Sequence, residues 1–201
     1  MLSELSDKIS CYFVRSNLIR QEDHAMYSYS VEVLLATLLN TAMLYMIALL
    51  TGKVWETTMF IAGFVPLRSL AGGYHAKTHF RCMITLLVTY LGFLAIINLI
   101  SKDQYMFVSI AFVSLSVVLV WLLSPVEDRN KPLSAAEKKM FRRRSRFTII
   151  IYACVVVFAS FVLLQRVESL CIAIGAMSVS LSLAAAYYGN KRIVNPASET
   201  Q

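Results

Sequence analysis

The sequence predicts an all-α, polytopic membrane protein with about six transmembrane helices preceded by an N-terminal amphipathic helix. Three observations lead there. The 201 residues are 58% apolar and only 15% charged, with a mean hydropathy of +0.64, whereas a soluble domain carries about 25% charged residues. Uncharged apolar runs recur along the chain, each near the roughly 20 residues that cross a bilayer. The 19 Lys and Arg residues fall between those runs rather than along one basic face. The net charge of +7 therefore reads as membrane topology, and nucleic acid is not an expected partner.

At the N-terminus, Leu2, Leu5, Ile9, Tyr12 and Phe13 recur at helical spacing with Glu4, Asp7 and Lys8 between them. That pattern predicts an amphipathic helix lying on the membrane surface or against the rest of the molecule. Residues 1–17 have no uninterrupted apolar stretch and do not read as a cleaved signal peptide. Six spans are expected at about 29–50, 54–70, 82–100, 104–123, 147–164 and 169–188. The second is the least regular, because Gly63, Pro66 and Arg68 near its far end fit a broken or re-entrant segment as well as a span. In the last span, Gly175, Ser178, Ser182 and Ala186 suit close helix packing.

Six spans put 16 of the 19 Lys and Arg residues on one side, leaving only Lys53, Lys102 and Arg166 on the other. The positive-inside rule then places both termini in the cytoplasm. With them go an amphipathic region at 1–28, a connection at 66–82 and a basic loop at 124–146, all within one domain covering 1–201. The basic loop holds Arg129, Lys131, Lys138, Lys139, Arg142, Arg143, Arg144 and Arg146. It reads as a topogenic loop that touches anionic headgroups of the lipid bilayer. Lys131, Arg142, Arg143 and Arg144 are also candidates for docking an acidic peptide.

Chemistry concentrates in residues 66–82, which hold two of the three histidines, the Gly72-Gly73 pair and Cys82. A cysteine in the first turn of a helix feels the positive end of the macrodipole, which favours thiolate. Arg81 is adjacent, and a nearby imidazole would take the proton, giving the minimum for an activated sulfur nucleophile. Gly72 and Gly73 can present backbone N–H groups to an oxyanion. Arg68 can hold a carboxylate or stabilise developing charge. Spacing leaves the histidine open. On an unbroken helix His75 and Cys82 would be about 10.5 Å apart along the axis, whereas His79 and Cys82 are one turn apart and can meet directly. Set against this chemistry, solvated histidines beside headgroups and an inert packing cysteine would have the same sequence.

Cys11, Cys82, Cys154 and Cys171 form no CxxC pair or zinc-ribbon spacing, so no disulfide framework, metal or other cofactor is expected. A site built from His75, His79 and Cys82 would lack an evident fourth ligand.

At these residues the sequence resembles the AgrB family, the membrane cysteine endopeptidases of Gram-positive quorum sensing. The family pattern Arg-x-x-Ala-Gly-Gly-x-His-Ala, five residues, then Cys is met at Arg68, Ala71, Gly72, Gly73, His75, Ala76 and Cys82. Ser124-Pro125 and Asn130-Lys131-Pro132-Leu133 also resemble the family's central cytoplasmic loop. The resemblance implies a cell-membrane protease of a Gram-positive bacterium, acting at the cytoplasmic face on an AgrD-like propeptide. It implies that His75 and Cys82 are catalytic, that the 75–82 backbone bends, and that the protein is a homodimer. No third triad member stands out. The competing functions are a non-enzymatic peptide exporter or membrane adaptor and, more remotely, a metal-dependent membrane protease. Against a transporter, no internal repeat is visible, and few ionisable residues lie near mid-membrane.

Overall fold

The computed structural model describes residues 2–71, 79–126, 134–162 and 167–194. Among these the chain is all-helical, and it divides into two compact units, Met1–Gly52 and Lys53–Gln201.

The first unit pairs α1 (Leu2–Arg15) with α2 (His24–Thr51). Helix α1 ends in a hydrogen-bonded cap: the Asn17 amide donates to the Val14 carbonyl and the Leu18 amide to the Phe13 carbonyl, at 3.0 Å each. Asn17 takes the left-handed φ of 53° that this cap needs and that asparagine tolerates better than most residues. A short 3₁₀ turn, Gln21–Asp23, leads into α2. The buried positions of α1 are Ser6 and Ser10, while Leu5 and Tyr12 stay exposed. Of the expected apolar face, Ile9 and Phe13 are half-buried while Leu5 and Tyr12 remain open. Gly52, at φ 69°, closes α2 with its amide on the Ala48 and Leu49 carbonyls.

The second unit contains α3 (Val54–Ala71), α4 (His79–Leu99), α5 (Tyr105–Leu123), α6 (Ala135–Val162) and α7 (Val167–Val194). Helix α7 is central: 61% of its apolar window is buried, against 22% for α5 and α6. It packs on α3, α5, α6 and α4. The core joins Leu67, Val120, Ile149, Ala176, Val179 and Leu183. Two glycines let α3 and α7 touch backbone to backbone. A Cβ at Gly63 would lie 2.5 Å from the Ile172 carbonyl oxygen, and one at Gly175 would lie 2.6 Å from that of Phe60. This is close helix packing of the kind expected of the α7 small residues.

Helix α4 is pinned to α3 by the buried ring stack of Phe60, Tyr90 and Phe93, with Phe60 and Phe93 centroids 4.5 Å apart. Thr57 gives its single hydroxyl proton to the Lys53 carbonyl (2.7 Å). Tyr90 is therefore the donor in the 2.6 Å contact with Thr57. Ser109 and Ser180, also buried, donate to the carbonyls of Tyr105 and Ala176 one turn earlier, which satisfies those two hydroxyls in apolar surroundings.

Each of the six expected spans corresponds to one helix, α2 to α7 in order, with α4 ending at Leu99, α5 starting at Tyr105 and α6 described to Val162. Four of these, in α2, α5, α6 and α7, are long and apolar enough to cross a membrane; in α4 the apolar part is the shorter Met83–Leu99. Three differences stand out. Pro66 does not break α3, which continues to Ala71. The 66–82 connection is correspondingly shorter, since only residues 72–78 separate α3 from α4. The basic segment expected as a loop at 124–146 is helical from Ala135 onward. Ser134 starts that helix with a reciprocal cap. Its amide and hydroxyl donate to the Glu137 carboxylate at 2.9 and 2.8 Å, and the Glu137 amide donates back to the Ser134 hydroxyl at 3.3 Å.

Candidate active site

The motif residues are carried by two helices. Arg68 and Ala71 lie in the last turn of α3, and Cys82 is the fourth residue of α4. Residue His79 opens α4. Gly72, Gly73, His75 and Lys131 lie outside the described residues. The backbone thus places Cys82 near the N-terminal end of α4.

Around the end of α3 the second unit assembles a polar rim from four helices. The Arg68 guanidinium donates through Nη1 to the Ser182 hydroxyl of α7. Sequence reading offered Ser182 only as a packing residue, and the 114 positions between the two conceal the pairing. The Ala71 carbonyl, one of the orphan acceptors at a helix end, accepts from the Val126 amide at 3.2 Å. That bond draws the chain following α5 against the end of α3. The cis Ser124-Pro125 peptide precedes it.

Ser145 on α6 donates to the Arg142 carbonyl (3.1 Å), leaving Ser124 as the donor in the buried 2.7 Å Ser124–Ser145 contact. One turn of α5 away, Arg146 donates to the Trp121 carbonyl at 2.8 Å and lies 4.5 Å over the Trp121 ring. Arg142, Arg143 and Arg144 are exposed. The basic residues of α6 therefore divide in two: Arg146 ties α6 to α5, while the three preceding arginines face outward.

Two segments of the sequence pattern thus meet: the Arg68-to-Ala71 end of α3 and the Ser124-to-Val126 segment. In chemical terms this is a charged, hydrogen-bonded helix end at the border of apolar helices, held by side-chain and backbone bonds. Several apolar helices long enough to cross a bilayer mark the chain as a multi-pass membrane protein.

The family model for accessory gene regulator B matches residues 6–183. The chain belongs to the AgrB family. It is 24% identical to the protein FsrB of Enterococcus faecalis over 70% of this chain and 57% of that relative. It is 28% identical to an AgrB-like protein of Listeria innocua over 75% of this chain and 74% of the relative. An AgrB-like protein of Clostridium beijerinckii is 25% identical over 66% and 67% respectively. No solved structure matches the chain.

Proposed function

We propose that this protein is a membrane-embedded cysteine endopeptidase that processes an AgrD-like propeptide for quorum sensing. One observation carries the reading: a chain belonging to the AgrB family holds Arg68, Ala71, Gly72, Gly73, His75, Ala76 and Cys82 at the family's spacing. The placement of Arg68 and Cys82 on the two helices flanking residues 72–78 supports it.

In the proposed reaction His75 takes the Cys82 thiol proton, and the thiolate adds to a peptide carbonyl on the C-terminal side of the propeptide. Gly72 and Gly73 donate backbone N–H groups to the oxyanion, and Arg68 supports the developing charge. Collapse breaks the C–N bond. The departing amine takes its proton from His75, and the acyl group remains on Cys82 as a thioester. An internal thiol or hydroxyl of the propeptide then attacks that thioester, regenerating Cys82 and closing a thiolactone or lactone. Water must be kept from the acyl-enzyme, which suits a site at the membrane boundary.

The proposal includes six spans with both termini in the cytoplasm of a Gram-positive cell and one peptidase domain over 1–201. It also includes an acidic propeptide tail held by Lys131, Arg142, Arg143 and Arg144. The homodimer rests on the family resemblance alone, since α3 occupies the α7 stripe at Gly175 and Ser182.

The test is cleavage of the cognate propeptide by protein reconstituted in liposomes, followed by mass spectrometry. Cys82→Ala and His75→Ala are expected to abolish thioester formation, with at least a ~10²–10⁴-fold loss for the histidine. His79→Ala is expected to retain activity. Normal turnover by either of the first two variants, or loss in His79→Ala alone, overturns the assignment.

A further inference from the structure

In the first unit the helix pair brings together three groups that lie apart in sequence. Asp7 and Cys11 are four residues apart on α1 and so share a face. His24 is the first residue of α2, returned to that face by the Asn17 cap. The His24 Nε2 atom lies 3.3 Å from the Cys11 Sγ and 3.5 Å from the Asp7 Oδ1. The three ligand atoms all fall within 4.8 Å of one another.

A catalytic relay needs its thiol and its carboxylate on opposite ring nitrogens. Here both approach the same one, and that convergence is what a shared cation requires. Zinc bonds of about 2.3 Å to sulfur and about 2.0–2.1 Å to nitrogen or oxygen give tetrahedral edges of about 3.3–3.6 Å. The measured nitrogen–sulfur and nitrogen–oxygen separations, 3.3 and 3.5 Å, each lie within about 0.3 Å of the corresponding edge. We propose that Asp7, Cys11 and His24 bind one zinc-class divalent cation, clipping the amphipathic helix α1 onto the start of α2, with water or a further ligand completing the shell. The donor set of one thiolate, one imidazole and one carboxylate selects a borderline-soft ion over magnesium or calcium. Asp7 is 58% exposed, which gives the ion a route in. The expectation of no metal came from ligand spacing along the chain, which cannot register a histidine contributed across a turn.

The site stands apart from the proposed peptidase reaction, and its test reads the metal directly. Full-length protein in nanodiscs, stripped with chelator and passed through a desalting column, is titrated with Co²⁺ under reducing conditions. The expected result is one equivalent bound, with a near-ultraviolet sulfur-to-cobalt charge-transfer band and the intense visible bands of tetrahedral cobalt, both removed by one equivalent of Zn²⁺. Cys11→Ser should abolish the charge-transfer band, and Asp7→Asn and His24→Gln should each weaken binding by at least about tenfold. A variant replacing Cys82, Cys154 and Cys171 with Ser should keep the band, so its signal reports Cys11 alone. Absence of the band in the wild type, its persistence in Cys11→Ser, or its loss in the triple variant overturns the proposal.

Discussion

Arg68 shows how a residue legible in the motif acquires its orientation from one that is not. Its place in the last turn of α3 marks it as a charge available to the 72–82 region, but its partner Ser182 lies on α7. A guanidinium hydrogen bond to a neutral hydroxyl is charge-assisted and contributes roughly 1.5–3 kcal/mol. Arg68→Lys keeps the charge and loses the planar fork. It is expected to lower kcat/KM for propeptide cleavage by about 10–100-fold, while Ser182→Ala alone lowers it less. If the two act through one bond, the double variant should be no worse than Arg68→Lys, and strictly additive losses in the double-mutant cycle would reject the coupling. The sequence carried the chemistry of Arg68, His75 and Cys82 as a spacing pattern. It could not carry the Arg68–Ser182 or Asp7–Cys11–His24 contacts, because hydrogen bonds and ligand geometry across a fold leave no periodic trace along the chain.

At the scale of the element, α3 carries an internal proline and still runs from Val54 to Ala71. Pro66 has no N–H, so the carbonyl four residues earlier, that of Ala62, loses its helical donor. Tyr152 of α6 supplies one instead, its hydroxyl donating to the Ala62 oxygen at 2.6 Å. In an apolar setting such an orphan acceptor would otherwise go unsatisfied. Tyr152→Phe should therefore destabilise the protein by about 1–2 kcal/mol, seen as a lower unfolding midpoint in detergent. Adding Pro66→Ala restores the amide at residue 66 and with it the intrahelical bond, so it should remove most of that loss. A Tyr152→Phe penalty that is unchanged in the Pro66→Ala background would show that the hydroxyl does not serve the proline gap.

The hydrophobic runs made the existence of α2 to α7 legible, because length and apolarity are local properties. The fate of α3 at Pro66 was not, since it depends on a tyrosine 90 positions away. The start of α6 is legible as well. Ser134 followed three residues later by Glu137 is a capping-box signature, and only the density of positive charge just after it made the segment read as loop.

For the whole molecule, the distribution of charge links topology to substrate. The strongest sequence signal, 16 basic residues against 3, predicts orientation. Reporter fusions should therefore place residue 103 outside and the C-terminus inside. The same cations are proposed to hold an acidic propeptide tail, and the two roles can be separated. Arg142, Arg143 and Arg144 are exposed on α6, whereas Arg146 is engaged with Trp121. Replacing the three exposed arginines with Gln leaves 13 basic residues on the same side against 3, so the orientation should hold. It also leaves the α5–α6 tie intact.

If those arginines attract the tail, the triple variant should raise KM for propeptide several-fold at low ionic strength with kcat little changed, because they act on encounter and docking rather than on the acyl-transfer step. At about 1 M salt the Debye length falls to roughly 3 Å, so wild type and variant should converge. An Arg146→Gln variant should behave differently, lowering stability through the lost Trp121 contacts with a weaker salt dependence of KM. A KM difference that persists at high salt in the triple variant would mean that the arginines shape the site instead of steering the tail, and equal KM values at low salt would remove them from substrate docking altogether.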